Sequence, residues 1–79
     1  MSNLITLIEA GFLIGKFYFD SQARYFKFSV VEDPDNFYQV AYEHDQISAW
    51  VMRVMHCFRE KTPFSFRYNT ETKEVVELW

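Results

Sequence analysis

The stretch from Gly15 to Val31 reads GKFYFDSQARYFKFSVV, two aromatic-rich runs separated by the four residues 20–23. Aromatic and β-branched residues favour strands, and a short polar segment between two such runs favours a hairpin turn. Because side chains alternate between the two faces of a strand, this hairpin predicts a sheet with rings on both faces. One face receives Phe17, Phe19, Phe26, Phe28 and Val30, and the other receives Tyr18, Tyr25, Lys27 and Val31.

Further strands are expected on both sides of a single helix. The predicted strands cover residues 12–19, 24–32, 37–42, 64–68 and 73–79. A turn is predicted at residues 33–36, because Pro34 has a fixed φ and the flanking Asp and Asn side chains hydrogen-bond their own backbone. Residues 2–10 fit either a short helical turn or an edge strand, and we favour the helical turn.

The helix is predicted to begin at Asp45 and to end near Thr62, since Pro63 disfavours helical geometry in the residue before it. Its apolar stripe consists of Ile47, Trp50, Val51, Val54, Met55 and Phe58. The expected fold class is therefore α+β: an antiparallel sheet of about five strands in the order β-β-β-α-β-β, with one amphipathic helix packed on one face. One helix cannot cover both faces, so some rings are expected to stay exposed unless sheet curvature or the N-terminal segment encloses them.

Length and composition predict one small domain, residues 1–79, with a core of large side chains. The chain holds 9 Phe, 5 Tyr and 2 Trp, and its formal net charge of −3 argues against a general nucleic-acid binder. A single cysteine, Cys57, excludes an internal disulfide and favours a reducing compartment. No signal peptide or membrane span is evident, so we expect a cytoplasmic protein without a membrane partner.

The sequence contains no catalytic, metal-binding or cofactor-binding signature. His44 and His56 are too far apart to share a helical face at ligand spacing, and Cys57 beside His56 has the wrong geometry for a nucleophile–base pair. With only Gly11 and Gly15, no phosphate-binding loop is possible. We therefore predict a protein that is not an enzyme and that uses no metal ion or cofactor.

Acidic residues and tyrosines provide the candidate partner-binding site. Between Lys27 and Arg53 the chain has no Lys or Arg, and the acidic side chains there were expected near one edge of the molecule. The predicted site residues are Glu32, Asp33, Asp35, Glu43, Asp45, Tyr18, Tyr25 and Tyr38, with Tyr42 and Tyr68 as further exposed rings. The alternative is an ordinary solvated edge in which Asp45 caps the helix.

The resulting hypothesis is a non-enzymatic protein-binding module whose partner presents a basic surface. The chain is similar in type to small acidic α+β inhibitors from phages and mobile elements, anti-CRISPR-like or nucleic-acid-mimicking, that occlude a surface of a larger complex. One alternative is a single-stranded nucleic-acid binder that uses Tyr18, Tyr25 and Lys27 on an aromatic sheet face. Another is a homodimeric structural or adaptor protein in which two sheet faces or edges meet.

Overall fold

The structure, a computed structural model, describes residues 6–79, with side chains from residue 13 onward. The elements in chain order are β1 (Thr6–Phe12), β2 (Ile14–Asp20), β3 (Tyr25–Val30), β4 (Asp33–Ala41), α1 (Ile47–Glu60), β5 (Phe64–Asn69) and β6 (Val75–Leu78). The predicted α+β class is confirmed, and the order β-β-β-α-β-β holds from β2 onward. The helical turn predicted for residues 2–10 is wrong for residues 6–10, which belong to β1, while residues 2–5 lie outside the described residues.

The strands form two three-stranded antiparallel sheets, with the orders β1-β5-β6 and β2-β3-β4. Only Leu13 separates β1 from β2, so the chain passes directly from one sheet to the other. A single parallel bridge between Gln39 and Glu74 joins β4 to the residue that precedes β6. The strands thus follow the order β6-β5-β1/β2-β3-β4 around a common core, and the β4–β6 seam is the incompletely closed side.

The core lies between the two sheets and is built largely of rings. Phe28 of β3 contacts Phe66 of β5 at a centroid distance of 5.4 Å, and Phe66 contacts Tyr38 of β4 at 4.7 Å. Phe26, Phe28 and Phe66 have no exposed surface. The predicted alternation along β3 is therefore confirmed, but the second sheet provides most of the cover that we expected from the helix.

Residues 33–36 were predicted to form a turn, but they belong to the first part of β4. Val30 pairs with Asp33, and Phe28 pairs with Tyr38, so residues 34–37 of β4 lie opposite the single residue Ser29 and form a bulge. Pro34 is tolerated there because a bulge residue need not donate a ladder hydrogen bond. The turn itself lies one step earlier, at residues 31–32.

Helix α1 begins two residues later than predicted, and Asp45 does not cap it. Its N-cap is Gln46, which makes no side-chain cap hydrogen bond, and the Gln46 backbone N–H donates to Nδ1 of His44 at 3.0 Å. The helix ends at Lys61, which adopts the left-handed conformation with φ 53°. No helix among residues 6–79 is both long enough and apolar enough to cross a membrane.

The buried line of α1 is centred on Val54 and Cys57, which have no exposed surface. Ile47, Trp50 and Val51 pack half-buried beside this line, in agreement with the predicted stripe. Met55 and Phe58 differ from the prediction: they are 40% and 46% exposed. The helix is therefore seated with one flank of its apolar face turned away from the core.

Candidate functional site

Within residues 13–79, a group of exposed and half-buried apolar side chains lies along α1 and the neighbouring strand β2. On the helix it comprises Met52, Met55 and Phe58, spaced three residues apart, so that successive members are neighbours on the helix surface. The Phe58 ring contacts Phe17 of β2 edge-on at 5.2 Å, which connects the helical part to the strand. Phe19 extends the group along the same face of β2. We call these five residues the apolar patch.

Exposure within the apolar patch is large for side chains of this size. Met52 is 71% exposed and Phe19 is 54% exposed. Phe19 faces the core side of the sheet, but it lies one residue from the end of β2, where its ring packs against those of Phe26 and Tyr42. Contiguous exposed apolar surface of this kind commonly marks an interaction site, and Met adapts easily to the shape of a partner.

Positive charge surrounds the helical part of the apolar patch. Arg53 and Arg59 are exposed on α1, and Lys61 is exposed at its C-cap. Arg59 makes only a long, solvent-exposed contact of 3.6 Å with Glu60, a type of ion pair that contributes little. Within residues 13–79, Arg53 and Lys61 have no ion-pair partner. The patch is therefore apolar at its centre, and its rim carries three cations together with the Glu60 carboxylate.

The predicted acidic site does not form one cluster. Glu32, Asp33 and Asp35 lie at the start of β4, whereas Glu43 and Asp45 follow its end. At about 3.3 Å per residue, β4 separates the two groups by roughly 20 Å, more than twice the screening length of about 8 Å in physiological salt. The two groups therefore act on a partner independently.

Glu43 is also occupied by a partner within the chain. Its Oε2 accepts hydrogen bonds from Nη2 and Nε of Arg24 at 2.8 and 2.9 Å. These hydrogen bonds hold the pKa of the Glu43 carboxyl below its usual range. The acidic residues at the start of β4 have no such partner among the side chains of residues 13–79.

The predicted tyrosine anchors fall into three different environments. The prediction of an exposed Tyr38 is wrong. Its side chain is 4% exposed and belongs to the core, because its register opposite Phe28 turns it toward the second sheet. Tyr68, on β5, is likewise buried. Tyr25 is half-buried, and its hydroxyl donates to Oε2 of Glu74 at 2.8 Å, which raises the pKa of Tyr25. Tyr18 is exposed as predicted.

The outer face of the β2-β3-β4 sheet is a smaller second candidate surface. Tyr18 meets Phe37 edge-on at 5.3 Å, and Lys27 lies opposite Tyr18 in the strand register. The Lys27 ammonium is 3.3 Å from Asp20, and the Ala23 backbone N–H together with Lys27 lowers the pKa of that carboxyl. The positive charge of Lys27 is therefore partly neutralised by Asp20.

Polar groups elsewhere give little basis for chemistry. Cys57 is a buried free thiol, and the His44 ring packs on Trp50 at 4.5 Å. At the open β4–β6 seam, a surface cavity of about 230 Å³ is lined in part by His44 and Glu74. Among residues 6–79, no group of three or more His, Cys, Asp or Glu side chains is placed to hold a metal ion.

The apolar patch was not predicted, because Met55 and Phe58 fit the spacing of the buried stripe and Met52 lies outside that stripe. A signal was present: apolar side chains on α1 extend from Val54 through Phe58 and Met55 to Met52, a wider arc than one sheet face covers. Comparison of the chain with protein-family models, with characterised proteins and with solved structures finds no match.

Proposed function

We propose that this protein is a non-enzymatic protein-binding module and that the apolar patch is its contact surface. The observation that carries the proposal is the exposure of four large apolar side chains on α1 and β2, two elements that meet at the Phe17–Phe58 contact: Phe19, Met52, Met55 and Phe58. Aromatic residues, Met and Arg are enriched in protein interfaces, and a patch of apolar centre and charged rim has the usual anatomy of one. The more specific role of an inhibitor stays a prediction.

In this proposal the acidic residues have a smaller role than the sequence predicted. The group at the start of β4 remains available to a basic surface, whereas Glu43 is held by Arg24. Rim charges mainly affect the rate of association and the choice of partner, and buried apolar anchors supply most of the affinity. The apolar patch is therefore the part of the surface whose loss should abolish binding.

Replacing Met52 and Met55 together by Lys should remove binding without unfolding the protein, because both side chains are exposed. The measurement is affinity capture from the source cell with quantitative mass spectrometry. Proteins retained by the wild type should fall by at least about tenfold with the double variant, which corresponds to the loss of one interface anchor.

The matched control is Val76→Lys with Trp79→Lys, which replaces two exposed apolar residues on and beside β6. This control variant should retain the captured proteins. Equal capture by the patch variant and the wild type would contradict the assignment of the contact surface.

A second candidate function, single-stranded nucleic-acid binding, is favoured by the outer face of the β2-β3-β4 sheet. The Tyr18–Phe37 pair offers rings for base stacking, Lys16 lies on β2 with Tyr18, and Lys27 lies opposite Tyr18 on β3. The strand order, with a helix between β4 and β5, is similar to that of OB-type barrels, which bind oligonucleotides on the face of their second and third strands. The net charge of −3 opposes this function.

Titration of fluorescent oligonucleotides at low salt tests the second candidate. If it is correct, Tyr18→Ala should weaken binding by about 5- to 100-fold, the effect of losing one stacked base. Trp79→Ala, which removes an exposed ring outside this face, should leave the affinity unchanged. Binding that is absent, or that is insensitive to Tyr18, would count against a nucleic-acid function.

A further inference from the structure

A second surface of the chain is complementary in charge to the apolar patch. The turn between β3 and β4 and the first residues of β4 carry Glu32, Asp33 and Asp35, all exposed, beside Val31, which is 54% exposed. We call residues 31–35 the acidic tip. Its three carboxylates have no ion-pair partner among the side chains of residues 13–79.

Both surfaces thus carry charges that have no ion-pair partner among the side chains of residues 13–79. The acidic tip combines three carboxylates with one exposed apolar side chain. The rim of the apolar patch carries the unpaired cations Arg53 and Lys61, and Arg59 there makes only the long, exposed contact with Glu60. Potentials of opposite sign on two surfaces favour their association and disfavour contact between two surfaces of the same sign.

We propose that the acidic tip of a second copy of this chain covers the apolar patch, and that the contact occurs twice in a two-fold dimer. Each copy then places Val31 on the apolar centre and its carboxylates beside Arg53 and Arg59 of the other copy. This inference rests on the proposed function, since it names the partner of the same contact surface.

The area of a stable interface favours the two-fold arrangement. Specific interfaces bury about 1,200–2,000 Å² in total, so each copy must cover about 600–1,000 Å² of its surface. One contact involves only the five residues of a single tip, and a two-fold arrangement doubles the buried area. A two-fold axis produces both contacts at once, because each residue pair across the interface is repeated by symmetry.

A dimer in which the two apolar patches face each other is disfavoured by the same charges. Such an arrangement would bring Arg53, Arg59 and Lys61 of one copy toward the same cations of the other. Like charges that meet across an interface cost free energy, and the acidic tips would remain unused. The occupant of the patch is therefore the tip, not a second patch.

Sedimentation equilibrium measures the association of the wild-type protein. We expect a monomer–dimer equilibrium that weakens when sodium chloride is raised from about 0.05 M to about 0.5 M, because the screening length then falls well below 10 Å. A wild-type protein that stays monomeric up to about 1 mM, the weakest affinity of practical significance, would overturn the proposal. So would a species larger than a dimer.

Two charge-reversed variants give the sharper test. Tip variant Asp33→Lys/Asp35→Lys and rim variant Arg53→Glu/Arg59→Glu should each weaken self-association by at least about tenfold. An equimolar mixture of the two should restore a heterodimer, because the cationic tip meets the anionic rim and the anionic tip meets the cationic rim. The control Asp45→Lys/Glu71→Lys changes net charge as the tip variant does and should dimerise normally.

Dimerisation that survives either reversal, or a mixture that stays monomeric, would overturn the tip-on-patch contact. All substituted side chains are exposed, and circular dichroism confirms that each variant is folded. Failure of this inference differs from failure of the proposed function: a monomeric wild type whose captured proteins still depend on Met52 and Met55 retains the contact surface and loses only the second copy as its occupant.

Discussion

Replacing Phe28 by Ala is expected to lower the free energy of unfolding by about 3–5 kcal/mol, the usual cost of removing a fully buried Phe. Phe28 has no exposed surface, and its ring touches Tyr38, Phe64 and Phe66. The substitution therefore leaves a cavity where the two sheets meet. A chain of this length has a total stability of only about 4–12 kcal/mol, so the variant should be largely unfolded near physiological temperature.

Chemical denaturation followed by circular dichroism measures this effect. The matched control is Phe19→Ala, which also removes a Phe side chain, but one that is 54% exposed. The control should lose less than about 1 kcal/mol, as surface substitutions do. Equal losses in the two variants would contradict the position of the core between the sheets.

Replacing Gly15 by Ala is expected to destabilise the protein by about 1–3 kcal/mol, a typical effect of inserting an atom into a packed region. A Cβ atom at this position would lie 3.0 Å from both the carbonyl carbon and the carbonyl oxygen of Val30. These are backbone atoms of the neighbouring strand, so they cannot move aside as a flexible side chain would. Gly15 lies where the β2–β3 register shifts, and this close approach is part of that irregularity.

The measurement is again the free energy of unfolding, with Ser65→Ala as the control. Ser65 is half-buried in β5 and already carries a Cβ, so its substitution should change stability by less than about 1 kcal/mol. Unchanged stability of Gly15→Ala would show that β2 and β3 are not held at the observed separation.

Alternation along the β2–β3 hairpin was readable from the sequence because it depends only on strand geometry. Phe26 and Phe28 point inward and Tyr18 points outward, as the pattern predicts. The helix was equally readable from its apolar spacing and from Pro63. The N-terminal strand was not, because residues 6–12 acquire their conformation by pairing with β5, which lies more than fifty residues away in the chain.

The candidate site was less accessible to sequence reasoning. A strand pattern assigns a side chain to one of two faces, but it does not show which face another segment will cover. Tyr38 and Phe19 illustrate this: the expected surface ring is in the core, and the expected core ring is on the surface. The acidic residues all lie within residues 32–45, yet the later part of β4 separates the two groups in space.

The amino-acid sequence by itself determined the local elements of this protein: strands that alternate, one amphipathic helix, and more rings than a single helix can cover. Only the tertiary structure decided which of those rings reach solvent. The physical reason is that secondary structure follows from spacing within a segment, whereas burial follows from the fit between segments that are distant in the chain. Here β1 pairs with β5 in a second sheet that lies over the core, and one flank of α1 is exposed.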